Sequence, residues 1–264
     1  MSDPLSALLL GILEGLTEFL PVSSTGHLLV AQYWLGARTD FFNIVIQAGA
    51  ILAITLVFRQ RLWGLATGLH ESANRDYAMK VAAAFLVTAL VGLPVRMAGW
   101  ELPDTVTPIA WALVIGGVWM LLAEYFASKR GDSIDVTWTV AILVGLAQVV
   151  AGVFPGTSRS AAAIFIAMLA GLSRRSAATE FVFIVGIPTM FAASGYAFLE
   201  LWLEQGLGGE AWGDVLLAFA ASAATGFVVV KWLLGYVKKH RYTGFAFYRI
   251  AFGLALLMWL PAGD

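Results

Sequence analysis

Cysteine is absent from this sequence and charge is scarce, with 12% of residues being Asp, Glu, Lys or Arg. The first absence excludes disulfides, thiolate catalysis and cysteine-ligated zinc or iron–sulfur centres. The second argues against a water-facing globule, in which about a quarter of residues are charged. With 60% hydrophobic residues and a mean hydropathy of +0.82, part of the surface must be covered by lipid. The formal net charge of −1 supplies no basic surface, so no nucleic-acid partner is expected. The start, Met1-Ser2-Asp3-Pro4, lacks a basic n-region, so no cleaved signal peptide is expected. Only His27, His70 and His240 offer imidazole chemistry, and the last two lie in charged, solvated stretches.

What is present is a series of apolar runs. Six of them, roughly 41–58, 81–98, 106–126, 181–203, 215–236 and 245–260, approach the ~20 residues that cross a bilayer as a helix. Turn and charge signals separate them, at Arg59-Gln60-Arg61, Pro103-Asp104, Lys129 to Asp132, Gly206 to Gly209 and Lys238 to Arg241. Basic residues are unevenly shared. Stretches 59–80, 128–135, 173–176 and 238–242 hold eleven, whereas 1–40, 96–104, 204–214 and 261–264 hold two. The first set is expected inside the cell and both termini outside.

Two further apolar stretches, about 4–36 and 136–172, are interrupted by Pro21 to Gly26 and by Pro155 to Ser160. Irregular backbone at membrane depth is tolerated only where protein or a watery cavity satisfies it. Each stretch therefore reads as a re-entrant helix–loop–helix hairpin. The two align at an offset of 134 residues, which pairs Gly11 with Gly145, Glu14 with Gln148, Pro21 with Pro155 and Ser24 with Ser158. The expected fold is an all-α integral membrane protein. It has two repeats, 1–134 and 135–264, each a hairpin followed by three spans. Three crossings are odd, so the second repeat is inverted, and such repeats place a site near the midplane.

The first hairpin carries Glu14 and Glu18, four residues apart and hence on one helix face. Two carboxylates in lipid call for a cation between them, either a hard divalent ion such as Mg²⁺ or Ca²⁺ or an arginine. The competing reading is an interfacial pair facing water. Ser23, Ser24, Thr25 and Gly26 open the next apolar run, where free amides and hydroxyls at a helix start suit phosphate. His27 follows them and could exchange a proton with a phosphoryl oxygen, or else be a satisfied core residue. The second hairpin offers Gly156, Thr157, Ser158, Arg159 and Ser160. An arginine at that depth marks a site by default, its partners being Glu14, Glu18 or a phosphate. A structural salt bridge between hairpins is the alternative. Gln148 joins this set as the counterpart of Glu14, and Arg249, inside the last run, is expected to need an acidic partner. Glu180 reads as a helix N-terminal acid, and Glu124 and Glu200 as interfacial.

At these residues the chain resembles the undecaprenyl-diphosphate phosphatase family of the bacitracin-resistance type. The run Glu14-Gly-Leu-Thr-Glu18-Phe-Leu-Pro-Val-Ser-Ser-Thr-Gly-His27 is similar to the family's first signature, and Pro155-Gly-Thr-Ser-Arg-Ser160 to its second. Ala178-Thr-Glu-Phe181 and Tyr248-Arg249 match weaker features. The resemblance implies a divalent-cation-assisted phosphatase that removes the terminal phosphate of a polyprenyl diphosphate in the bacterial plasma membrane. That reaction recycles the lipid carrier for peptidoglycan and confers bacitracin tolerance. It implies that Glu14 and Glu18 are catalytic or metal-associated, that Ser24 and His27 are catalytic candidates, and that Ser158 and Arg159 bind phosphate. The nucleophile is left open among Ser24, His27 and water. The other expected roles are catalysis for Arg159 and substrate binding for Ser23, Thr25, Gly26, Gly156, Thr157, Ser160, Gln148 and Arg249. The family's second signature continues Ser-Gly-Ala-Thr, where this chain has Ser160-Ala161-Ala162-Ala163. The missing hydroxyl keeps a low-activity, carrier-binding paralogue among the alternatives, together with a polyprenyl-phosphate transporter. A homodimer is a further possibility for its assembly, and the site is expected to open to the outer side.

The charge asymmetry makes a direct prediction. With no native cysteine to remove, His70→Cys and Gly208→Cys should react with an impermeant thiol reagent from opposite faces of the membrane. Labelling of both from one face would overturn the assigned topology.

Overall fold

The computed structural model describes residues 3–98, 105–205 and 211–259. Every regular element among them is helical: α1 (Pro4–Thr17), α2 (Ser24–Leu35), α3 (Asp40–Val57), α4 (Arg59–Thr67), α5 (Ser72–Met97), α6 (Val106–Ser128), α7 (Trp138–Val153), α8 (Arg159–Leu169), α9 (Arg175–Gln205), α10 (Trp212–Tyr236) and α11 (Thr243–Trp259). Five of these, α3, α5, α6, α9 and α10, are long and apolar enough to cross a membrane. This is a multi-pass, all-helical membrane protein. The sixth expected span, 245–260, falls on α11, whose 17 residues end where the described residues end. The connections at Pro103-Asp104 and Gly206 to Gly209, with position 208, and residues 261–264 lie outside the described residues.

Two boundaries differ from those expected from hydropathy. Helices α5 and α9 begin before the apolar runs at 81 and 181, because hydropathy marks only the apolar part of a helix; in α5 the polar first turns carry an Asp76–Lys80 pair one turn apart. The basic stretch after α3 folds into α4, whose polar face includes exposed Arg59 and Arg61.

The two broken stretches form the helix pairs α1–α2 and α7–α8, each packed on itself. Side-chain caps start the helices on either side of each break. Asp3 accepts from the Ser6 amide and Pro4 occupies the first turn, while Thr137 accepts from Val140. Ser23 accepts from Gly26 and Ser158 from Ala161, satisfying amides that lipid could not. Ser23 and Ser158 are the only non-glycine residues with positive φ among those described, at 73° and 66°. Both loops thus turn into their second helix by the same strained step. The counterpart of Ser158 is therefore Ser23, one residue before the Ser24 expected from the gapless alignment. Serine 24 instead corresponds to Arg159, each being the first residue of its helix.

The pairs pack crosswise. Helix α1 lies along α10, and α7 along α5. A Cβ on Gly11 would fall 2.2 Å from the Ala218 carbonyl oxygen, and one on Gly145 would fall 2.6 Å from that of Ala84. Gly145 and Ala218 stand 134 residues after Gly11 and Ala84, so one close crossing occurs twice. Without water to drive association, such backbone approach is the main source of helix–helix attraction in lipid. Helix α8 sits in the middle against α6, α7 and α9, burying Ala161, Ala163, Ile164, Phe165 and Met168.

Gly11→Leu should separate α1 from α10 and cost about 1–3 kcal/mol as an overpacked contact. Gly152→Ala, which meets nothing within 4 Å, should be close to neutral. Thermal unfolding in detergent checks both, and an unchanged midpoint for Gly11→Leu would remove the crossing as a source of stability.

Candidate active site

Loop 18–23 and loop 154–158 bring their polar residues to one place. Glu18 is the junction. Its Oε2 accepts a hydrogen bond from Ser24 Oγ at 2.5 Å, and its Oε1 accepts from Arg159 Nη2 at 3.2 Å. The Glu18 carboxylate is 6% exposed and the Arg159 guanidinium 29%, so the cation reaches from the rim to a nearly buried anion. The loops also meet through Ser160 Oγ, which donates to the Leu20 carbonyl at 3.2 Å and shares a hydrogen bond with Ser158 Oγ. The first residues of α2 and α8 therefore grip the same carboxylate from opposite hairpins.

A cleft opens beside this junction. Its polar end is lined by Glu18, Gln148, Arg159 and Ser160, and its walls by Phe19, Ile54, Val182, Phe183, Gly186 and Met190. Deeper lies Glu14, 2% exposed, within Coulombic reach of Glu18 and Arg159. Glu14 Oε2 and both amide atoms of Gln148 are buried without a hydrogen-bond partner. These are the pair related by the 134-residue offset. Buried polar atoms left unpaired are costly, so Gln148, which lines the cleft, suits a polar ligand there.

His27 points elsewhere. Its Nδ1 donates to the Ser23 carbonyl at 2.7 Å, which leaves Nε2 of the neutral ring to accept from the Tyr248 hydroxyl, also at 2.7 Å. The ring stacks on Phe252 at 4.5 Å between centroids. Both nitrogens are thus engaged, and the imidazole anchors α2 to α11. Tyr248 was visible in the sequence only as the neighbour of Arg249.

Arg249 pairs with no acidic side chain among the described residues, contrary to expectation, and its buried Nε has no partner there. It is fully buried and donates to three carbonyls, Thr157 and Gly156 at 2.9 Å and Ala112 at 3.1 Å. Two of these belong to loop 154–158, where Gly156 has a φ of 87° and packs with its Cα side against Ile109. Gly116 makes room for the guanidinium, since a Cβ there would fall 2.2 Å from Arg249 Nη2. The guanidinium thus satisfies carbonyls that a broken helix exposes. Of the remaining expected residues, Gly26 is buried at the start of α2 and Thr25 is exposed there.

Glu124, expected near the membrane interface, is buried within the protein at 3% exposure. It accepts from Arg175 Nε at 2.7 Å, the Tyr242 amide at 3.2 Å and Thr243 Oγ1 at 3.1 Å. The cluster ties α6, α9 and α11 together. Position in an apolar run could not reveal it, because its partners come from distant segments. Glu180 pairs with Arg61 at 3.4 Å in a half-exposed bridge, and Glu200 pairs with Arg96.

No group of three or more His, Asp or Glu side chains with metal-binding geometry occurs among the described residues. Two carboxylates with an unpaired oxygen on Glu14 still fit a hard cation that keeps water or substrate oxygens as its other ligands.

The family model for bacitracin resistance protein BacA matches residues 7–255. An undecaprenyl-diphosphatase of Xanthomonas axonopodis pv. citri (strain 306) is 74% identical over 262 residues, covering 99% of both chains. One from Stenotrophomonas maltophilia (strain K279a) is 73% identical over 264 residues and the full length of both. A match this extensive includes both loops and every helix that positions them, and the chain belongs to the BacA family of bacitracin resistance proteins.

Proposed function

We propose that the protein hydrolyses undecaprenyl diphosphate to undecaprenyl phosphate and inorganic phosphate, recycling the lipid carrier for peptidoglycan synthesis and giving bacitracin tolerance. Its relatives at 73–74% identity are named for this activity. The observation that carries the chemistry is the Ser24–Glu18–Arg159 junction. A hydroxyl donating to a carboxylate at 2.5 Å is a nucleophile already paired with its base. In this reading Ser24 Oγ attacks the terminal phosphorus while Glu18 takes its proton. The bond to the bridging oxygen breaks and undecaprenyl phosphate departs, taking up that proton from Glu18. Water, deprotonated by the carboxylate so restored, then attacks the phosphoserine, and the bond from phosphorus to Ser24 Oγ breaks as that oxygen regains the proton and phosphate leaves. Arg159 balances the charge that develops on the transferred phosphoryl oxygens, and Ser160 with Gln148 orients them. The engagement of both His27 nitrogens argues for Ser24 over His27 as nucleophile. Glu14 and Glu18 would hold the divalent cation, which supplies charge neutralisation for the diphosphate when bound.

The topology belongs to the same proposal. Helices α1–α2 and α7–α8 are read as re-entrant hairpins entering from opposite faces of the bacterial plasma membrane, in two inverted repeats, 1–134 and 135–264. Both termini lie outside and the cleft opens outward. The crosswise packing at Gly11 and Gly145 supports that reading. It also favours a second one, lipid-phosphate transport, since inverted repeats with broken helices are a transporter architecture. An acid–base pair at the junction is required only for hydrolysis. Ala163 weighs little for a weakened paralogue, because it is fully buried on the core side of α8 and does not line the cleft.

Purified protein in detergent should release phosphate from undecaprenyl diphosphate, and EDTA should suppress the release. Transport of the lipid without phosphate release would select the second reading. Glu18→Gln should lower turnover by ~10²–10⁴-fold, the range for loss of a general base, while the yield of folded protein stays near wild type. Wild-type turnover in that variant would remove Glu18 from the chemistry. Ser24→Ala should abolish the phosphoenzyme trapped by acid quench, and full turnover without Ser24 would assign the attack to water.

A further inference from the structure

The cleft beside Glu18 is polar in part only. Besides Glu18, Gln148, Arg159 and Ser160 its lining is apolar, made by Phe19, by Ile54 of α3 and by Val182, Phe183, Gly186 and Met190 of α9. Val182, Gly186 and Met190 are spaced four apart and so lie on one face. In the middle of that face Gly186 has no side chain, and a Cβ built there would meet nothing within 4 Å. It differs in this from Gly11 and Gly145, whose missing side chains are demanded by a neighbouring backbone. A helix-interior glycine that contacts nothing lowers helix stability without improving packing; Gly186 shares this with Gly152 and Gly195, but of the three it is the one that lines the cleft. Pro188, two residues on in the same helix, lacks the amide that would bond the Ile184 carbonyl.

We propose that Gly186 is a specificity-determining residue, and that the α3–α9 groove it keeps open receives the first isoprenyl units of the substrate while the diphosphate sits at Glu18, Arg159 and Ser160. This rests on the phosphatase reading above. The occupant follows from continuity, because the same cleft is lined by the phosphate-binding groups and by the aliphatic, thioether and aromatic side chains of Ile54, Val182, Met190, Phe19 and Phe183, which suit a branched hydrocarbon. The chain leaves between α3 and α9 toward the lipid, where exposed Phe191 continues α9.

The test fills the groove and asks which half of the substrate notices. In Gly186→Leu, KM for undecaprenyl diphosphate should rise about tenfold, as expected for lost binding of the non-reacting part, with kcat largely kept. The Ki of inorganic diphosphate as a competitor should stay within about twofold, since that probe has no chain. A KM and Ki that rise together, or neither rising, would overturn the proposal. A second measurement avoids dependence on the folding or turnover of that variant. Gly186→Cys provides a single thiol in a cysteine-free chain. Undecaprenyl phosphate should protect it from a small methanethiosulfonate reagent, and inorganic diphosphate should not. Equal labelling with and without the lipid overturns the groove. Absence of phosphate release by the wild-type protein would instead overturn the phosphatase reading, with the protection result still deciding the groove.

Discussion

A break in a helix at membrane depth exposes carbonyls and amides that hydrocarbon cannot satisfy. Both breaks in this protein satisfy such groups with protein, and the candidate site lies where they do so. Serine caps at Ser23 and Ser158 take the amides at the start of α2 and α8. Arg249 takes the carbonyls of Gly156 and Thr157, and Ser160 takes that of Leu20 in the opposite loop. With these bonds in place Ser24 and Arg159 stand on either side of Glu18. The machinery of phosphoryl transfer and the repair of a broken backbone use neighbouring atoms of the same two loops.

The two hairpins share geometry but differ in chemistry. Glu14 in one corresponds to Gln148 in the other, and Ser24 corresponds to Arg159. One half thus supplies the anions and the hydroxyl, the other the cation and neutral donors. A symmetric arrangement would set like charges against each other in a medium of low dielectric, where their repulsion is large. The different side chains of the two loops avoid this and give the cleft an acidic and a basic side.

Much of this was legible in the sequence because membrane depth makes polar residues conspicuous. Glu14, Glu18, Arg159 and the two Pro–Gly–Ser interruptions stand out against apolar surroundings, and their convergence follows from the cost of leaving them alone in lipid. The meeting of Glu18 with Arg159 was among the expected pairings. The environment of Arg249 was not, because backbone carbonyls leave no signature in the sequence and an acid was the only partner that a sequence could suggest. Glu124 was misplaced for a similar reason, since its three donors lie on α9 and at the start of α11. The one-residue shift between Ser24 and Ser23 depends on a positive φ, and serine gives no warning of that conformation.

The central claim is that residues of two distant loops act as one catalytic unit. A double-mutant cycle on phosphate release measures it directly, using Glu18→Gln, Arg159→Met and the pair. If the carboxylate and the guanidinium act together, the double variant should lose little more than the worse single variant, a coupling of about 1–3 kcal/mol. Losses that multiply, with a coupling near zero, would mean that the 3.2 Å contact joins two independent groups and that the shared site is wrong.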